Sequence, residues 1–199
     1  MGNPNAGKTS IFNALTGSTQ HVGNWPGKTV SRAEGAFAID GAKYKLVDLP
    51  GTYSLTAYSQ EEVVARDFLV NQKPEVVINI VDASNLERNL YLAVQFLEMG
   101  IPICIALNMI DVAKKRGIKV NAAKLSSLLG VPVILTISRS GKGKKELMDS
   151  AFQIIQEHHK LNPLKISYGA DIDPVLAEME MEIAANHFLT DTYQARWVA

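Results

Sequence analysis

The sequence predicts an α/β fold, in which a mostly parallel sheet is covered by helices on both faces and is followed by a C-terminal helical appendage. Short apolar strands alternate with amphipathic helices from residue 76 onward, which is the pattern of a parallel sheet. A glycine-rich phosphate loop, G-x-x-x-x-G-K-[ST], occupies residues 2–9. The motif N-x-x-D follows one of the predicted strands, at Asn108 and Asp111. These three observations predict a nucleotide-binding domain.

The first part of the chain is predicted as a helix, a loop and a β-hairpin. Lys8 to Thr16 carries apolar residues on one face, so we expect a helix whose N-terminus faces phosphate. Residues 18 to 32 have no periodicity and are predicted to form a mobile loop. Ala33 to Ile39 and Ala42 to Val47 are predicted strands, joined by a tight turn at Asp40-Gly41 that tolerates positive φ angles.

The second part supplies the parallel sheet. Ser59 and Glu62 match a capping box, which predicts a helix from there to about Asn71. The strands and helices that follow alternate, as in crossover connections between parallel strands. They are strand Val76 to Val81, helix Leu86 to Met99, strand Ile103 to Leu107, helix Ala122 to Leu129, strand Val131 to Leu135 and helix Lys144 to His159.

Two domains are predicted, over residues 1–160 and 161–199. Asn162-Pro163 marks the break, and Asp173-Pro174 opens a helix in the second part. This helix either packs on the sheet domain or carries nucleotide state elsewhere. Because a phosphate loop normally follows a buried strand, we expect the first strand to be missing before Met1 and the appendage to be truncated.

Composition narrows the class of protein. Twenty basic and twenty acidic residues give a formal net charge of zero, so we expect no nucleic-acid partner. The apolar stretches are much shorter than the roughly 20 residues that span a bilayer, so this fragment is expected to be soluble. The single Cys104 lies in an apolar run, which predicts a buried structural thiol and a reducing compartment.

The phosphate loop predicts the contacts of a nucleoside triphosphate. Its backbone N–H groups face the phosphates, the Lys8 ammonium adds positive charge and the Thr9 hydroxyl ligates Mg²⁺. The predicted contacts are the loop and the residue after it: Gly2, Asn3, Pro4, Asn5, Ala6, Gly7, Lys8, Thr9 and Ser10.

A second phosphate element, D-x-x-G, is predicted at Asp48 and Gly51. The Asp48 carboxylate is expected to hold Mg²⁺ through water, and the Gly51 N–H to meet the γ-phosphate and sense its presence. Thr29, in the first loop, is the candidate second hydroxyl ligand of Mg²⁺. The predicted magnesium site therefore comprises Thr9, Thr29 and Asp48.

Asn108, Met109 and Asp111 are the predicted base-reading residues. The ionised Asp111 carboxylate accepts hydrogen bonds from guanine N1–H and the 2-amino group, and adenine offers neither donor there. Met109 replaces the lysine of many GTPases, so we expect modest affinity. A backbone N–H near Ser138, in the Ser138-Arg139 segment, is a further candidate contact to guanine O6, with an ordinary turn as the alternative. The motifs together predict a Ras-like P-loop GTPase fold that binds GTP or GDP.

The segment from His21 to Val30, which contains Gly-Asn-Trp-Pro-Gly, resembles the first switch of the cytosolic G domain of the bacterial ferrous iron transport protein B (FeoB) family. The phosphate loop and Asp48-Leu-Pro-Gly-Thr-Tyr-Ser-Leu resemble that family too, and the similarity covers residues 2 to about 160. Lys28 departs from the valine that is common there. The later residues resemble the start of the family's helical, GDI-like linker domain.

This resemblance implies a GTPase that produces GDP and phosphate and that gates ferrous iron uptake. It also implies a location on the cytoplasmic face of the bacterial inner membrane and a transmembrane permease region of the same polypeptide beyond residue 199.

Thr52 occupies the position at which Ras-type GTPases have the glutamine that orients the attacking water. Hydrolysis therefore requires another group to organise the reaction. The resemblance implies a K⁺ ion beside the phosphates, held by Asn5 and by the carbonyl groups of Gly23 and Trp25, and slow, K⁺-stimulated turnover. The predicted catalytic residues are those placed around the phosphates: Asn5, Lys8, Thr29 and Gly51.

Two other functions are open at this point. A soluble GTPase of ribosome or tRNA maturation would share both nucleotide motifs, and a GTP sensor with negligible turnover is favoured by Thr52. No iron ligand is assigned, since His158, His159 and His187 are too scattered for a metal site. The oligomeric state is also open, with a homo-oligomer among the alternatives.

Overall fold

The phosphate loop opens a helix that is followed by three antiparallel strands. A computed structural model describes residues 1–17, 20–26, 28–39, 42–56, 58–157 and 166–199. The first elements are helix α1 (Lys8–Thr16) and strands β1 (Gln20–Asn24), β2 (Ser31–Ile39) and β3 (Ala42–Asp48). Helix α1 ends at Gly17, whose φ of 62° is a conformation that glycine adopts without a Cβ penalty.

Strand β1 corrects the prediction of a loop over residues 18–32. Residues 20–24 pair antiparallel with β2, with His21 opposite Glu34 and Asn24 opposite Ser31. Backbone hydrogen bonds to the edge of β2 stabilise this strand, and such bonds leave no trace in side-chain periodicity. The predicted turn at Asp40-Gly41 lies outside the described residues.

The later elements confirm the predicted alternation, with bounds that differ by one or two residues. They are α2 (Gln60–Gln72), β4 (Val77–Asp82), α3 (Leu86–Glu98), β5 (Ile103–Asn108), α4 (Ile110–Lys115), α5 (Ala122–Leu129), β6 (Val133–Leu135), α6 (Lys144–Gln156), α7 (Asp173–Ala185) and α8 (Ala195–Val198). Helix α4 was not predicted, because it has only six residues. The predicted end of α6 at His159 and the break at Asn162-Pro163 fall outside the described residues. Within the described ranges, no helix combines the length and the apolarity needed to cross a bilayer.

Strands β4, β5 and β6 form a parallel sheet in that order, and β1, β2 and β3 form an antiparallel sheet. Met1 and Gly2 extend the parallel sheet beside β4, since the Ile80 N–H donates to the Met1 carbonyl at 2.7 Å and Gly2 pairs with Ile80. A groove of about 550 Å³ is lined by residues of β3, β4, α2 and α6 together with Met1.

Two hydrophobic clusters cover the two faces of the parallel sheet, which confirms the predicted layer order. On one face, Leu69 of α2 and Leu92 and Phe96 of α3 pack against Val81 and Ile105. On the other face, Ile11 of α1 and Leu147 and Ile154 of α6 pack in a cluster with Ile80 and Cys104. The carboxyl ends of the strands, where the predicted nucleotide residues follow, are therefore fixed by packing from both sides.

The capping box that opens α2 is confirmed, and it also holds the loop that precedes this helix. The Ser59 hydroxyl accepts from the Glu62 N–H at 3.2 Å, and the Glu62 carboxylate accepts from the Ser59 N–H at 3.2 Å. The same carboxylate accepts from the Ser54 hydroxyl at 2.8 Å and from the Tyr58 N–H at 3.0 Å. The loop after Asp48 is thereby tied to the first turn of α2.

The predicted helix after Asp173-Pro174 is present as α7, but several of its apolar side chains are exposed. Val175 and Met179 are 55% and 41% exposed, and α7 contains no buried residue. Contact with the sheet domain comes instead from Tyr168, whose hydroxyl donates to Glu98 of α3 at 3.1 Å, and from Trp197, which packs against the cluster beside α2 and α3.

We expect Cys104 to resist thiol reagents in the folded protein. The side chain is fully buried, and burial raises the pKa of the thiol from 9.0 to about 12. Because the thiolate is the reactive form, labelling by an aromatic disulfide at pH 8 should be slower by about a hundredfold or more than in denaturant. Above about pH 9 the unfolded thiol ionises and the folded thiol does not, so this group lowers the free energy of unfolding as the pH rises. Equal labelling rates in native and denaturing buffer would contradict the buried position.

Candidate functional site

The phosphate loop adopts the strained backbone that such a loop requires. Asn5 and Gly7 have positive φ angles of 65° and 92°. Inside the loop, the Ala6 N–H donates to the Asn3 carbonyl at 3.2 Å. The N-cap residue Gly7 has no side chain, so it offers no acceptor to the first N–H groups of α1. This arrangement suits an anion that accepts hydrogen bonds from the helix N-terminus.

Lys8 and Asp48 lie in direct contact at the start of α1. The Lys8 ammonium donates to the Asp48 carboxylate at 2.6 Å, and the two side chains are only 16% and 12% exposed. The hairpin places Asp48 here because this residue ends β3. Phosphate and Mg²⁺ present complementary charges to these two groups, since the ammonium attracts phosphate and the carboxylate is a hard oxygen ligand. Thr9 is exposed on the same first turn.

The segment after Asp48 rests directly on the phosphate loop. A Cβ atom at Gly51 would lie 3.3 Å from the Pro4 Cα, so a larger residue here would press on the loop. The Thr52 N–H donates to the Gly2 carbonyl at 3.3 Å. Thr52 is 2% exposed, and its hydroxyl has no hydrogen-bond partner among the described residues. The Thr52 hydroxyl is therefore shielded from solvent in this structure.

Asn108 links three parts of the predicted nucleotide site. Its fully buried side chain donates from Nδ2 to the Ala6 carbonyl at 2.9 Å, and its Oδ1 accepts from the Ser138 N–H at 3.0 Å and from the Thr136 hydroxyl at 3.4 Å. A Cβ atom at Gly7 would lie 2.3 Å from Asn108 Nδ2. Glycine is therefore required at this position for both the φ angle and the space.

Sequence reasoning missed Thr136. Its side chain is buried and orients the Asn108 amide by donating to its oxygen. The available signal was a threonine directly after a predicted strand and close to a glycine-rich turn. The Ser138 N–H already donates to Asn108, so contact with a base would require that hydrogen bond to be shared or released. Arg139 is exposed in the same turn.

Met109 and Asp111 stand at the N-terminus of α4. Met109 is the N-cap residue and has a positive φ of 60°, which turns the chain sharply after β5. Asp111 lies in the first turn and is half-buried. The short helix therefore fixes the Asp111 carboxylate relative to Asn108.

The residues of the predicted first switch lie against β2 and α2. Gly23 is exposed in β1 opposite Arg32, and Thr29 is exposed in the turn that follows. Trp25 is half-buried and packs against Phe68 of α2 with ring centroids 5.5 Å apart. Gly27 lies outside the described residues. The structure thus gathers Lys8, Asp48, Gly51 and Asn108 around the phosphate loop, and it holds Gly23 and Trp25 on a different set of elements.

Comparison with known proteins identifies relatives of the whole chain. A family model described as Ferrous iron transport protein B matches residues 1–151. The Fe(2+) transporter FeoB of Staphylococcus aureus is 45% identical over 202 residues, which cover 100% of this chain and 29% of the relative. The chain spans about a quarter of the length of the curated relatives that it matches.

Solved structures agree with this assignment. The cytosolic domain of Legionella pneumophila FeoB superposes with a TM-score of 0.88 at 39% identity, over 98% of this chain and 76% of that chain. The cytosolic domain of the Thermotoga maritima FeoB iron transporter in GMPPNP form superposes with a TM-score of 0.87 at 39% identity, over 98% and 75%. With the phosphate loop, the D-x-x-G segment and the N-x-x-D segment assembled at one site, the chain belongs to the ferrous iron transport protein B family.

Proposed function

We propose that this chain is the GTP-binding and GTP-hydrolysing regulatory domain of a ferrous iron transporter. The observation that carries the proposal is the Asn108 side chain, which joins the phosphate loop to the predicted base-reading segment through hydrogen bonds of 2.9 and 3.0 Å. A site in which phosphate and base contacts are held at a fixed separation fits a purine nucleotide. The GMPPNP form of the Thermotoga maritima relative supports the choice of a guanine nucleotide.

In this proposal the phosphates lie at the N-terminus of α1, where Lys8 moves from Asp48 to the phosphate oxygens. The donor set fits Mg²⁺, because Asp48 offers a carboxylate 2.6 Å from the Lys8 ammonium and Thr9 is a hydroxyl on the same turn. Thr29 supplies a further hydroxyl once the first switch reaches the phosphates. When bound, the metal neutralises charge on the phosphate oxygens. The Gly51 N–H binds the γ-phosphate, and the loop between Asp48 and α2, which Glu62 anchors, responds to its presence.

We also propose that K⁺ assists hydrolysis. Asn5 is exposed at the tip of the phosphate loop, where its side chain carbonyl is available as a ligand. The other proposed ligands are the carbonyls of Gly23 and Trp25, and the Trp25 carbonyl accepts from the Lys28 N–H at 3.0 Å in this structure. A cation at this point offsets developing negative charge, as an arginine finger does.

The wider role follows from the family. We propose that residues 1–160 switch with nucleotide state, that residues 161–199 begin a helical linker domain, and that the two together gate Fe²⁺ passage through a permease region of a longer polypeptide at the cytoplasmic face of the inner membrane. The contact between Tyr168 and Glu98 of α3 supports this route, because it joins the appendage to the nucleotide domain. A second candidate is a GTP sensor with negligible turnover, which the buried Thr52 hydroxyl favours.

Asp111→Asn is expected to shift base preference from GTP to xanthosine triphosphate. The amide donates to the 2-oxo group of xanthine, whereas the carboxylate accepts from the 2-amino group of guanine. Loss of charge-assisted bonds should weaken GTP binding by about 10- to 100-fold. Calorimetric titration with both nucleotides measures the change. The exposed Asp149→Asn variant on α6 is the control, and unchanged GTP affinity in Asp111→Asn would reject the base assignment.

Lys8→Ala is expected to lower affinity for GTP by about tenfold or more, because the phosphates lose a charge-assisted donor and Asp48 is left without its cation. Lys145→Ala removes an exposed lysine of α6 and serves as the matched control. Binding of a fluorescent GTP analogue provides the measurement. Retention of wild-type affinity in Lys8→Ala would mean that phosphate binds elsewhere.

Steady-state hydrolysis should be about tenfold or more faster in KCl than in NaCl, and Asn5→Gly should remove this difference. Glycine preserves the positive φ at position 5, so the substitution removes the side chain without straining the loop. Phosphate release measured at equal ionic strength is the assay, and GTP affinity is the control. Near-background rates in both salts would favour the sensor function.

A further inference from the structure

Trp25 is anchored by two side chains that come from different elements. Its ring meets the Phe68 ring edge-on, with centroids 5.5 Å apart and an interplanar angle of 75°. The Arg32 guanidinium of β2 lies 4.6 Å from the centroid of the Trp25 ring, within the range of a cation–π contact. The indole is therefore held between α2 and β2, at the margin of the main hydrophobic cluster.

Arg32 is itself fixed in place by the charged residues beside it. Its guanidinium pairs with the Glu34 carboxylate, and the other Glu34 oxygen accepts from the Lys45 ammonium at 2.9 Å. Burial raises the pKa of Glu34, but the hydrogen bonds from Lys45 and Arg32 outweigh it and leave the pKa below its ordinary value. The carboxylate thus stays ionised at neutral pH and keeps the guanidinium over the Trp25 ring.

The main chain of the same segment is closed into a turn. The Trp25 N–H donates to the Val30 carbonyl at 2.9 Å, and the Trp25 carbonyl accepts from the Lys28 N–H at 3.0 Å. The Lys28 ammonium lies 3.9 Å from the Asp67 carboxylate of α2. Since both side chains of this ion pair are substantially exposed, its contribution is small and mainly fixes the direction of the turn.

The hydrogen-bonding capacity of the Trp25 side chain is not used in this position. The Trp25 indole N–H is buried, but it has no hydrogen-bond partner among the described residues. A cleft of about 370 Å³ beside the ring is lined by residues of the turn and of α2, among them Pro26, Asp67 and Asn71. An unpaired buried donor and an open cleft both lower the free energy needed to release the ring.

We propose that Phe68 and Arg32 regulate access of the triphosphate to the site, because they clamp the Trp25 ring and so hold the first switch in a retracted state. In this state the Trp25 carbonyl is occupied by Lys28, and Thr29 lies in the turn behind it. GTP binds productively after the ring leaves the clamp. The apparent affinity for the triphosphate is therefore proportional to the fraction of molecules in which the Trp25 ring has left the clamp. This inference rests on the proposed function, because it assigns regulation to the same site.

The experiment uses the Trp197→Phe background, in which Trp25 is the only tryptophan. Phe68→Ala removes the edge-on contact, and Arg32→Gln removes the guanidinium that lies over the ring. In nucleotide-free protein, acrylamide should quench Trp25 fluorescence more efficiently in both variants than in the background. Affinity for GMPPNP should rise by about two- to tenfold in Phe68→Ala, as expected from the loss of an aromatic pair. Affinity for GDP and the single-turnover rate constant for bound GTP should stay unchanged.

Phe152→Ala is the matched control, because Phe152 makes a similar edge-on contact with Tyr44, at 5.6 Å and 86°, away from the first switch. It should leave both quenching and the ratio of GMPPNP to GDP affinity unchanged. Thermal melts verify that each variant is folded. Arg32→Gln provides the test if Phe68→Ala unfolds.

Two results would overturn the clamp. One is unchanged quenching of Trp25 in both folded variants, and the other is an equal rise in GMPPNP and GDP affinity. A background protein that binds neither nucleotide would refute the proposed function instead, and the quenching comparison in nucleotide-free protein would still report on the clamp.

Discussion

The buried amide of Asn108 is the interaction on which the geometry of the nucleotide site depends. One side chain donates to the phosphate loop at Ala6 and accepts from the main chain at Ser138, while Thr136 fixes its orientation. Ala6 and Ser138 are 102 and 30 residues from Asn108 along the chain. Each partner is a polar group that costs about 1–3 kcal/mol when it is buried without a hydrogen bond. The amide therefore stabilises the fold and at the same time sets the separation between the phosphate loop and the predicted base-reading segment.

The two predicted switches are anchored in different ways. The second predicted switch, residues 51–60, rests on the phosphate loop through the Thr52 N–H, and the Leu55 N–H donates to the buried Gln95 amide of α3 at 2.9 Å. The first switch has no comparable buried hydrogen bond to the phosphate loop among the described residues, and it is tied to α2 by the Trp25–Phe68 ring contact and by the exposed ion pair between Lys28 and Asp67. A segment held by one ring at a cluster margin and by an exposed ion pair moves at lower cost than one held by a buried network.

Helix α3 contacts the phosphate loop, the second switch and the C-terminal appendage. Near its N-terminus, the Arg88 carbonyl accepts from the Asn3 side chain of the phosphate loop at 3.3 Å, and the Arg88 guanidinium lies 4.0 Å from the centroid of the Tyr53 ring in the second switch. At its C-terminus, Glu98 accepts from Tyr168 of the appendage. One helix thus contacts both the phosphate loop and the C-terminal helical segment.

The sequence by itself determined which nucleotide-binding motifs the protein carries and the order of its layers. The phosphate loop, Asp48-x-x-Gly51 and Asn108-x-x-Asp111 are read locally, because each motif needs particular residue types at a fixed spacing. The alternation of strands and helices fixed the layer order for the same reason, since periodicity reports which side of an element is buried. The resemblance of the segment around Trp25 to the first switch of the FeoB family could also be recognised in the sequence, because it rests on adjacent residues.

Only the tertiary structure decided how these motifs are held. Strand β1, the Thr136 contact to Asn108 and the clamp of Trp25 by Phe68 and Arg32 all join residues that are distant in sequence or that pair through the backbone. No periodicity encodes such contacts, because they depend on which elements become neighbours after the sheet and its helices have packed. The exposure of Val175 and Met179 on α7 was likewise decided by the tertiary structure. A sequence pattern shows which residues of a helix are apolar, but it does not show which surface covers them.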